Sequence, residues 1–574
     1  MVRSFSTFLC SIFISVYPLT LLLHAQTLIT SVNIIDVSTG DIVRDHDVLI
    51  SDGIITRIDR NIRADRVEET IDGSDQWLIP GLIDAHIHMF QSGGLYTRPD
   101  ALDLRDLRSY EEERKWLLDH AADIYDAYLS AGITSVLDVG GPMTNYDLRS
   151  KITKARGLDY YCTGPLISTY LPEAFRIEDP PIMKAHTIEE GISLVRAQLP
   201  YEPDVIKIWY INSPGIAPPN HRDIVKAVIK ESHDNNIPVA VHATDLTTAK
   251  IAVLEGADIL VHSVRDPVDN DFVNMLLDND VVLIPTLIVH GAYDKAFLGS
   301  LDITTHDLDN GVPGPISDLL DVHHLVHDQL LEAQHYAPNF LATNQIRDSI
   351  RSDNLKKLVD AGAVIATGTD AGNIGTLHAT SYISELMAMH SAGLSNLQIL
   401  SAATYGAAHA IGRQSSHGKV EEGRAADLIL LASNPLDDLS ALLEVSAVIK
   451  DGHEVDLPEL KKRTPEELVQ MQLNAYNVGN IESFLLPYSD SVKVYGFPDQ
   501  FRYQGIDRMR ESYASFFKST PDLHCELINR IVLGNTVIDQ ERVTGLGADR
   551  IIEAVAIYKI RDGKIQEVYF DDGR

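Results

Sequence analysis

Between residues 80 and 410 the chain repeats one pattern: a short run that is apolar at nearly every position, a stretch of helical periodicity, then another such run. Continuously apolar runs mark strands buried on both faces, and buried strands that alternate with helices are parallel. We read them at Leu82–His86, Thr134–Asp138, Tyr160–Thr163, Asp204–Trp209, Val239–His242, Asp258–His262, Val281–Pro285 and Val364–Thr367. Eight parallel strands with helices between them predict an α/β protein built on a (β/α)8 TIM barrel, here spanning 80–411. One connection, from about Leu287 to Leu358, is far longer than a usual βα loop, and its helical patterning predicts an inserted lid on the active-site side.

In such barrels the chemistry sits at the C-terminal strand ends, which is where this chain places its least expected residues. Strand one ends Asp84-Ala85-His86-Ile87-His88, and because side chains alternate along a strand, His86 and His88 point the same way and can share one metal ion. Strand four carries Lys207 inside an apolar run, where an unpaired ammonium is expensive. Strands five and six end at His242 and His262, and strand eight is followed by Gly368-Thr369-Asp370. Each has an ordinary alternative: a hydrogen-bonded core histidine, a lysine reaching to solvent, an aspartate that caps a helix. Their coincidence at one end of five strands makes a metal site the better account.

His86-x-His88, Lys207, His242, His262 and Asp370, in that order and spacing, resemble the amidohydrolase superfamily in its binuclear, carboxylated-lysine form. The resemblance covers roughly residues 27 to 455. It includes Pro80-Gly81-Leu82-Ile83-Asp84, Gly368-Thr369-Asp370-Ala371-Gly372, Ala392-Gly393-Leu394-Ser395, Gly423-Arg424-Ala425-Ala426-Asp427-Leu428 and Val448-Ile449-Lys450-Asp451-Gly452. It implies that 26–79 and 412–457 form a composite β-sandwich beside the barrel. It also implies two divalent ions, one on His86, His88 and Asp370 and the other on His242 and His262, bridged by a carbamate that Lys207 forms with carbon dioxide. A metal-bridged hydroxide would attack the substrate, with Asp370 as acid and base. Zinc fits the nitrogen and oxygen ligands, and manganese, cobalt or nickel can occupy such a set.

The nearest resemblance is to imidazolonepropionase-related and prolidase-like amidohydrolases, which implies cleavage of a C–N bond in an amide, peptide or cyclic amide, with a dipeptidase as one form. In several of those a tyrosine follows the strand-five His-Ala; here the residue is Thr244, so a contact to the scissile carbonyl falls to another group, with Tyr210 and His290 as candidates. Asp138, at the end of strand two, suits either a substrate ammonium or support behind the site. Two rivals stand beside this reading: a lactonase or organophosphate-type esterase in the same barrel, and a ligand-binding protein that uses its C-terminal domain.

From Thr464-Pro465-Glu466-Glu467, a helix start of cap, proline and two acids, the sequence changes character. A helix to about Tyr476, a strand near Ser491–Tyr495, a helix over Gly505–Phe517 and three longer strands predict a separate α+β domain at 460–574. Its element order resembles the cone-shaped nuclear transport factor 2-like (SnoaL-like) fold.

At the other end, Arg3, an apolar run over Phe8–Leu23 and a small Ala25 before Gln26 predict a signal peptide at 1–25, with a single membrane anchor as the alternative. A secreted or periplasmic protein with no stable membrane insertion after cleavage is expected. The partner is a small-molecule substrate, and a homo-oligomer is compatible with it. With 48 Lys and Arg against 82 Asp and Glu, the formal net charge of −34 excludes nucleic acid as a natural partner. Three cysteines exclude a disulfide framework or a cysteine-rich zinc site.

Overall fold

The computed structural model describes residues 26–64, 66–211, 221–547 and 550–571; the expected signal peptide at 1–25 lies outside them. The parallel strands fall into two ladders. Leu82–Ile87, Ile133–Asp138 and Asp159–Cys162 form one. The other runs in the order Ile182–Lys184, Leu166–Ser168, Ile206–Trp209, Val239–His242, Ile259–Val261, Val282–Ile284. The seven expected strands up to Val281–Pro285 are therefore present, while the described residues do not form a single closed eight-stranded ladder.

Two local causes explain the difference. The third strand is cut at Thr163-Gly164-Pro165, where Pro165 has no N–H to give. The buried amide of Gln198 fills the gap, accepting from Gly164 N at 3.0 Å and donating to Pro165 O at 3.0 Å. A single backbone bond, Asp204 N to Cys162 O at 3.1 Å, spans the two ladders there. The eighth expected strand is reduced to isolated bridges, Leu283 with Ile365 and Ile87 with Ala371. Its Thr367 N–H turns away to Ala402 O at 3.0 Å, the start of a one-turn π-helix over Ala402–Gly406.

The flanking strands from both ends of the 26–457 region pair into one eight-stranded sheet rather than two separate ones. Gln26–Ile35 bends at two register shifts on either side of Val32, pairing with Val67–Asp72 over its first half and with Trp77–Pro80 over its second. Such irregularities bend a strand and sharpen its twist, so a single sheet changes direction. Leu428–Leu431 joins the two flanks of the 26–457 region by pairing antiparallel with Trp77–Pro80. Buried behind it, Lys450 bonds Asp427 at 3.1 Å and Asp159, at the base of the third parallel strand, at 3.3 Å. This occupies with an ammonium the position that Asp159, His417 and Asp427 would otherwise offer to a metal.

The long connection holds helices Val289–Phe297, Thr305–Asn310 and Pro313–Leu320, then the 33-residue helix Asp328–Asp360. The C-terminal region adds helices Pro465–Val478, Ile481–Leu485 and Ile506–Ser519 against a six-stranded sheet. The expected helix start is real: Thr464 Oγ1 accepts from Glu467 N and Glu467 accepts from Thr464 N at 2.8 Å. Two strands of that sheet were not expected: the short, largely exposed edge strand Gln500–Gln504, and one of the four after the last helix, since Thr536–Thr544 and Ile552–Arg561 are two strands where one was read. One apolar cluster joins the inserted helices, through Phe297, Leu308, Ile316 and Leu319, to Leu468, Val469 and Phe484 of this region.

Candidate metal centre

Strand Leu82–Ile87 is buried at every position, which leaves no solvent to satisfy His86 and makes its neighbours decisive. His86 Nε2 lies 3.4 Å from His88 Nε2, and each lies 3.2 Å from Asp370 Oδ1. Asp370 reaches them because its loop lies tight on the strand. A Cβ on Gly368 would sit 2.7 Å from the His86 Cβ, and one on Gly372 would sit 2.4 Å from His88 O. His262, Thr286 and Asp370, all at strand ends, hold positive φ of 73°, 43° and 61°, a strained backbone of the kind that clusters at functional sites.

These three atoms fit a metal. His88 Nδ1 is bonded to Gly140 O at 2.8 Å, so it carries the ring proton and Nε2 presents a lone pair. Burial, reinforced by the Lys207 charge, drives His86 down to about 3, against the pull of Asp370. Burial also raises Asp370, but His86, His88 and His262 outweigh it and hold the carboxyl well below its usual range. Neutral imidazoles and an ionised carboxylate are the ligand-ready forms. Bonds of about 2.1 Å to a tetrahedral ion put neighbouring ligand atoms roughly 3.4 Å apart, close to the spacing found.

A second pair adjoins the first. His242 and His262 have ring centroids 4.5 Å apart, and His262 Nδ1 bonds Thr286 Oγ1 at 2.6 Å. Burial holds both rings well below the usual histidine range. Lys207, 1% exposed, has no hydrogen-bond partner for its Nζ among the described residues. Burial lowers it to about 7. His86 Nδ1 is likewise buried without a partner.

Lys207, His88, His242, His262 and Asp370 line one cavity of about 410 Å³ together with His290. The His290 ring lies 5.8 Å from that of His262, with Nε2 buried and unpartnered among the described residues. Three other sequence candidates lie outside that lining. Asp138 is fully buried and accepts from Tyr160 at 2.6 Å and from Met89 N and Asn145 at 3.0 Å, bracing the loop after His88. Tyr210 points toward His221, ring centroids 5.7 Å apart, and Thr244 uses its carbonyl to cap Arg265 N at 2.9 Å.

Periodicity gave no sign of several groups that do line the cavity. Asn373 donates to Asp370 Oδ1 at 2.7 Å, and its own Oδ1 accepts from Tyr293 at 2.5 Å and from Arg98. Arg98 is itself clamped by Asp100 through two bonds of 2.7 Å. Arg347, from the long inserted helix, makes no hydrogen bond or ion pair among the described residues. Leu166, Phe175, Ile182, Trp209 and Phe340 supply the apolar wall. None of these carries a signal in the sequence pattern, and only Asn373 lies close in sequence to an expected ligand, three residues after Asp370.

The model of the amidohydrolase family matches residues 77–455, and that of the SnoaL-like domain residues 469–568. An imidazolonepropionase of Deinococcus deserti is 36% identical over 93 residues, 16% of this chain and 23% of the relative. A dihydroorotase of Syntrophobacter fumaroxidans is 46% identical over 54 residues, 9% of this chain and 12% of the relative. The chain thus spans less than a quarter of the length of these curated relatives. A crystal structure of a Xaa-Pro dipeptidase with methionine bound in its active site superposes with a TM-score of 0.57 at 22% identity, covering 75% of this chain and all of that one.

Proposed function

The chain belongs to the amidohydrolase family, and on that premise we propose that it is a metal-dependent hydrolase of C–N bonds, using two divalent ions in an interrupted (β/α)8 barrel. The observation that carries this is the meeting of His86 Nε2, His88 Nε2 and Asp370 Oδ1 at 3.2–3.4 Å beside a buried, unpartnered lysine. The bond from Asp204 to Cys162 and the bridges at Ile365 and Ala371 support reading the two ladders as one barrel wall with two weak seams. His86, His88 and Asp370 would hold one ion, zinc by the donor set, and His242 and His262 the other. When bound, such ions lower the pKa of water toward neutrality and polarise a substrate oxygen.

The protein's own groups do the rest. Lys207, neutral in part because it is desolvated, can add carbon dioxide with loss of a proton, and the resulting carbamate anion suits a position between two cations. Asp370 Oδ1 is committed to the histidines and Asn373, which leaves Oδ2, 3.8 Å from His262 Nδ1, to take a proton and return it to the leaving nitrogen. His290, which lines the same cavity with its Nε2 unpartnered among the described residues, would touch the scissile carbonyl.

Arg347 refines the substrate. A guanidinium with no partner among the described residues, in a cavity with one apolar wall, suits a free carboxylate, so the reading is an N-acyl amino acid or dipeptide, in line with the dipeptidase neighbour. A screen of N-acyl amino acids, dipeptides, matching amides without a carboxylate, and lactones tests it. Arg347→Ala should raise KM about tenfold or more for carboxylate substrates and leave the others unchanged; equal turnover of amides without the carboxylate would remove it.

Export completes the proposal. The Phe8–Leu23 run and Ala25 support cleavage before Gln26, with the sheet at 26–79 and 412–457, the barrel at 80–411 and the C-terminal domain at 460–574 in the mature protein. Intact mass of protein from the cell envelope fraction should begin at or near Gln26, and a chain still starting at Met1 would contradict it.

A further inference from the structure

The C-terminal domain has a cavity of about 330 Å³ that shares no lining residue with the metal-centre cavity. Its wall is aromatic. Phe484 lies 4.5 Å from Tyr513 and 5.4 Å from Tyr488 between ring centroids, and Tyr476 lies 6.3 Å from Phe516. Among these rings is a carboxyl group, Glu541, only 7% exposed.

The hydrogen bonds around Glu541 have one direction. Tyr488 donates to Gln472 Oε1 at 3.2 Å, and Gln472 Nε2 donates to the Tyr558 oxygen at 3.1 Å. Tyr558 must then give its own proton to Glu541, at 3.0 Å. The chain therefore favours the ionised carboxylate without supplying any positive charge. Arg530, the nearby guanidinium, is held by both oxygens of Asp539 at 2.7 and 2.6 Å. Among the described residues no lysine, arginine or histidine forms an ion pair with Glu541, and burial with the Asp539 charge pushes it up to about 7. A buried acid without an ion-pair partner among the described residues, in a cavity lined by aromatic rings, is what an organic ammonium ligand would complete. At the mouth, exposed Arg502 lines the same cavity and makes no hydrogen bond or ion pair among the described residues.

We infer that this cavity is a second small-molecule site, for an organic ammonium that carries a carboxylate at its other end, the ammonium held by Glu541 and the aromatic rings and the carboxylate by Arg502. The volume is at the small end of ligand pockets, which suits an amino acid or betaine rather than a larger amphiphile. The inference is independent of the reaction at the metal centre.

Calorimetric titration of the full-length protein with glycine betaine, choline and benzoate tests it. Betaine should bind at one site, choline about tenfold more weakly, and benzoate not at all. Arg502→Ala, a surface change that leaves the core intact, should reduce betaine to the affinity of choline without altering choline. Glu541→Gln, checked for an unchanged melting temperature, should weaken both ammonium probes about tenfold or more. Betaine binding that is absent at roughly 10 mM, binding unchanged in both variants, or a preference for benzoate would overturn the assignment.

Discussion

Asn373 governs which way Asp370 presents its carboxylate. Arg98 and Tyr293 both donate to the Asn373 oxygen, so the amide cannot flip, and its nitrogen must donate to Asp370 Oδ1. Asn373→Ala should keep both metal equivalents yet lower kcat roughly 10- to 100-fold with little change in KM, because it loosens the proton-transferring group rather than substrate binding. A fall in metal content that matches the fall in kcat would make Asn373 a support of the ligand set alone. Lys207 gives the second test at this scale. Lys207→Ala should lose the second ion and regain part of its activity with small carboxylic acids that fill the gap, followed by metal analysis and rate together. Retention of both ions would remove the bridging role. The candidate metal set was legible because strand alternation and strand ends bring His86, His88, Lys207, His242, His262 and Asp370 to one end of the strands. Asn373, Arg98, Tyr293 and Arg347 were not, since they enter from loops and an insertion whose placement is set by tertiary packing.

Among the elements, the first inserted helix bears most directly on the site, since Val289–Phe297 carries His290 and Tyr293. Its entry is fixed by Glu385, fully buried, which accepts from Leu287 N at 2.8 Å and Ile288 N at 3.0 Å. Burial raises this carboxyl to about 8. A raised carboxyl favours the fold while it is protonated. That contribution is present below the ordinary glutamate pKa of 4.5 and is lost as pH rises through about 8. Metal-free protein in chelator should therefore show a melting temperature that falls between pH 5 and 8, and Glu385→Gln should flatten the fall; identical slopes would contradict this account of the helix entry. Strand existence was legible from the apolar runs, but the breaks were not. The cut at Gly164-Pro165 is filled by Gln198, more than thirty residues on, and the diversion of Thr367 to Ala402 depends on a helix more than thirty residues later, so neither shows in a local pattern.

Across the whole molecule, the C-terminal domain and the insertion support one another. Helix Pro465–Val478 is buried from Glu467 through Ala475 without a break, which a helix lying on one sheet would not be. Its second face meets the insertion, where Asn474 donates to Pro313 O at 2.8 Å and Gln470 to Ser317 at 3.1 Å. The helix start at Thr464 was legible from its cap, but not the surface it covers, because a pattern of burial does not name the partner. Truncation after Glu454 should leave metal content intact, since every ligand precedes it, while lowering kcat/KM about tenfold or more as the helix carrying His290 loses its backing. A truncated protein that folds without metal would show the two parts to be one unit. Whether hydrolysis needs two ions is read by titrating the metal-free enzyme, with zinc bound per chain and hydrolysis of an N-acyl amino acid followed in the same samples. Activity should rise with the second equivalent, and His86→Ala and His242→Ala should each lose about one equivalent and most of the rate; full activity with one ion per chain would rule out a two-ion hydrolase.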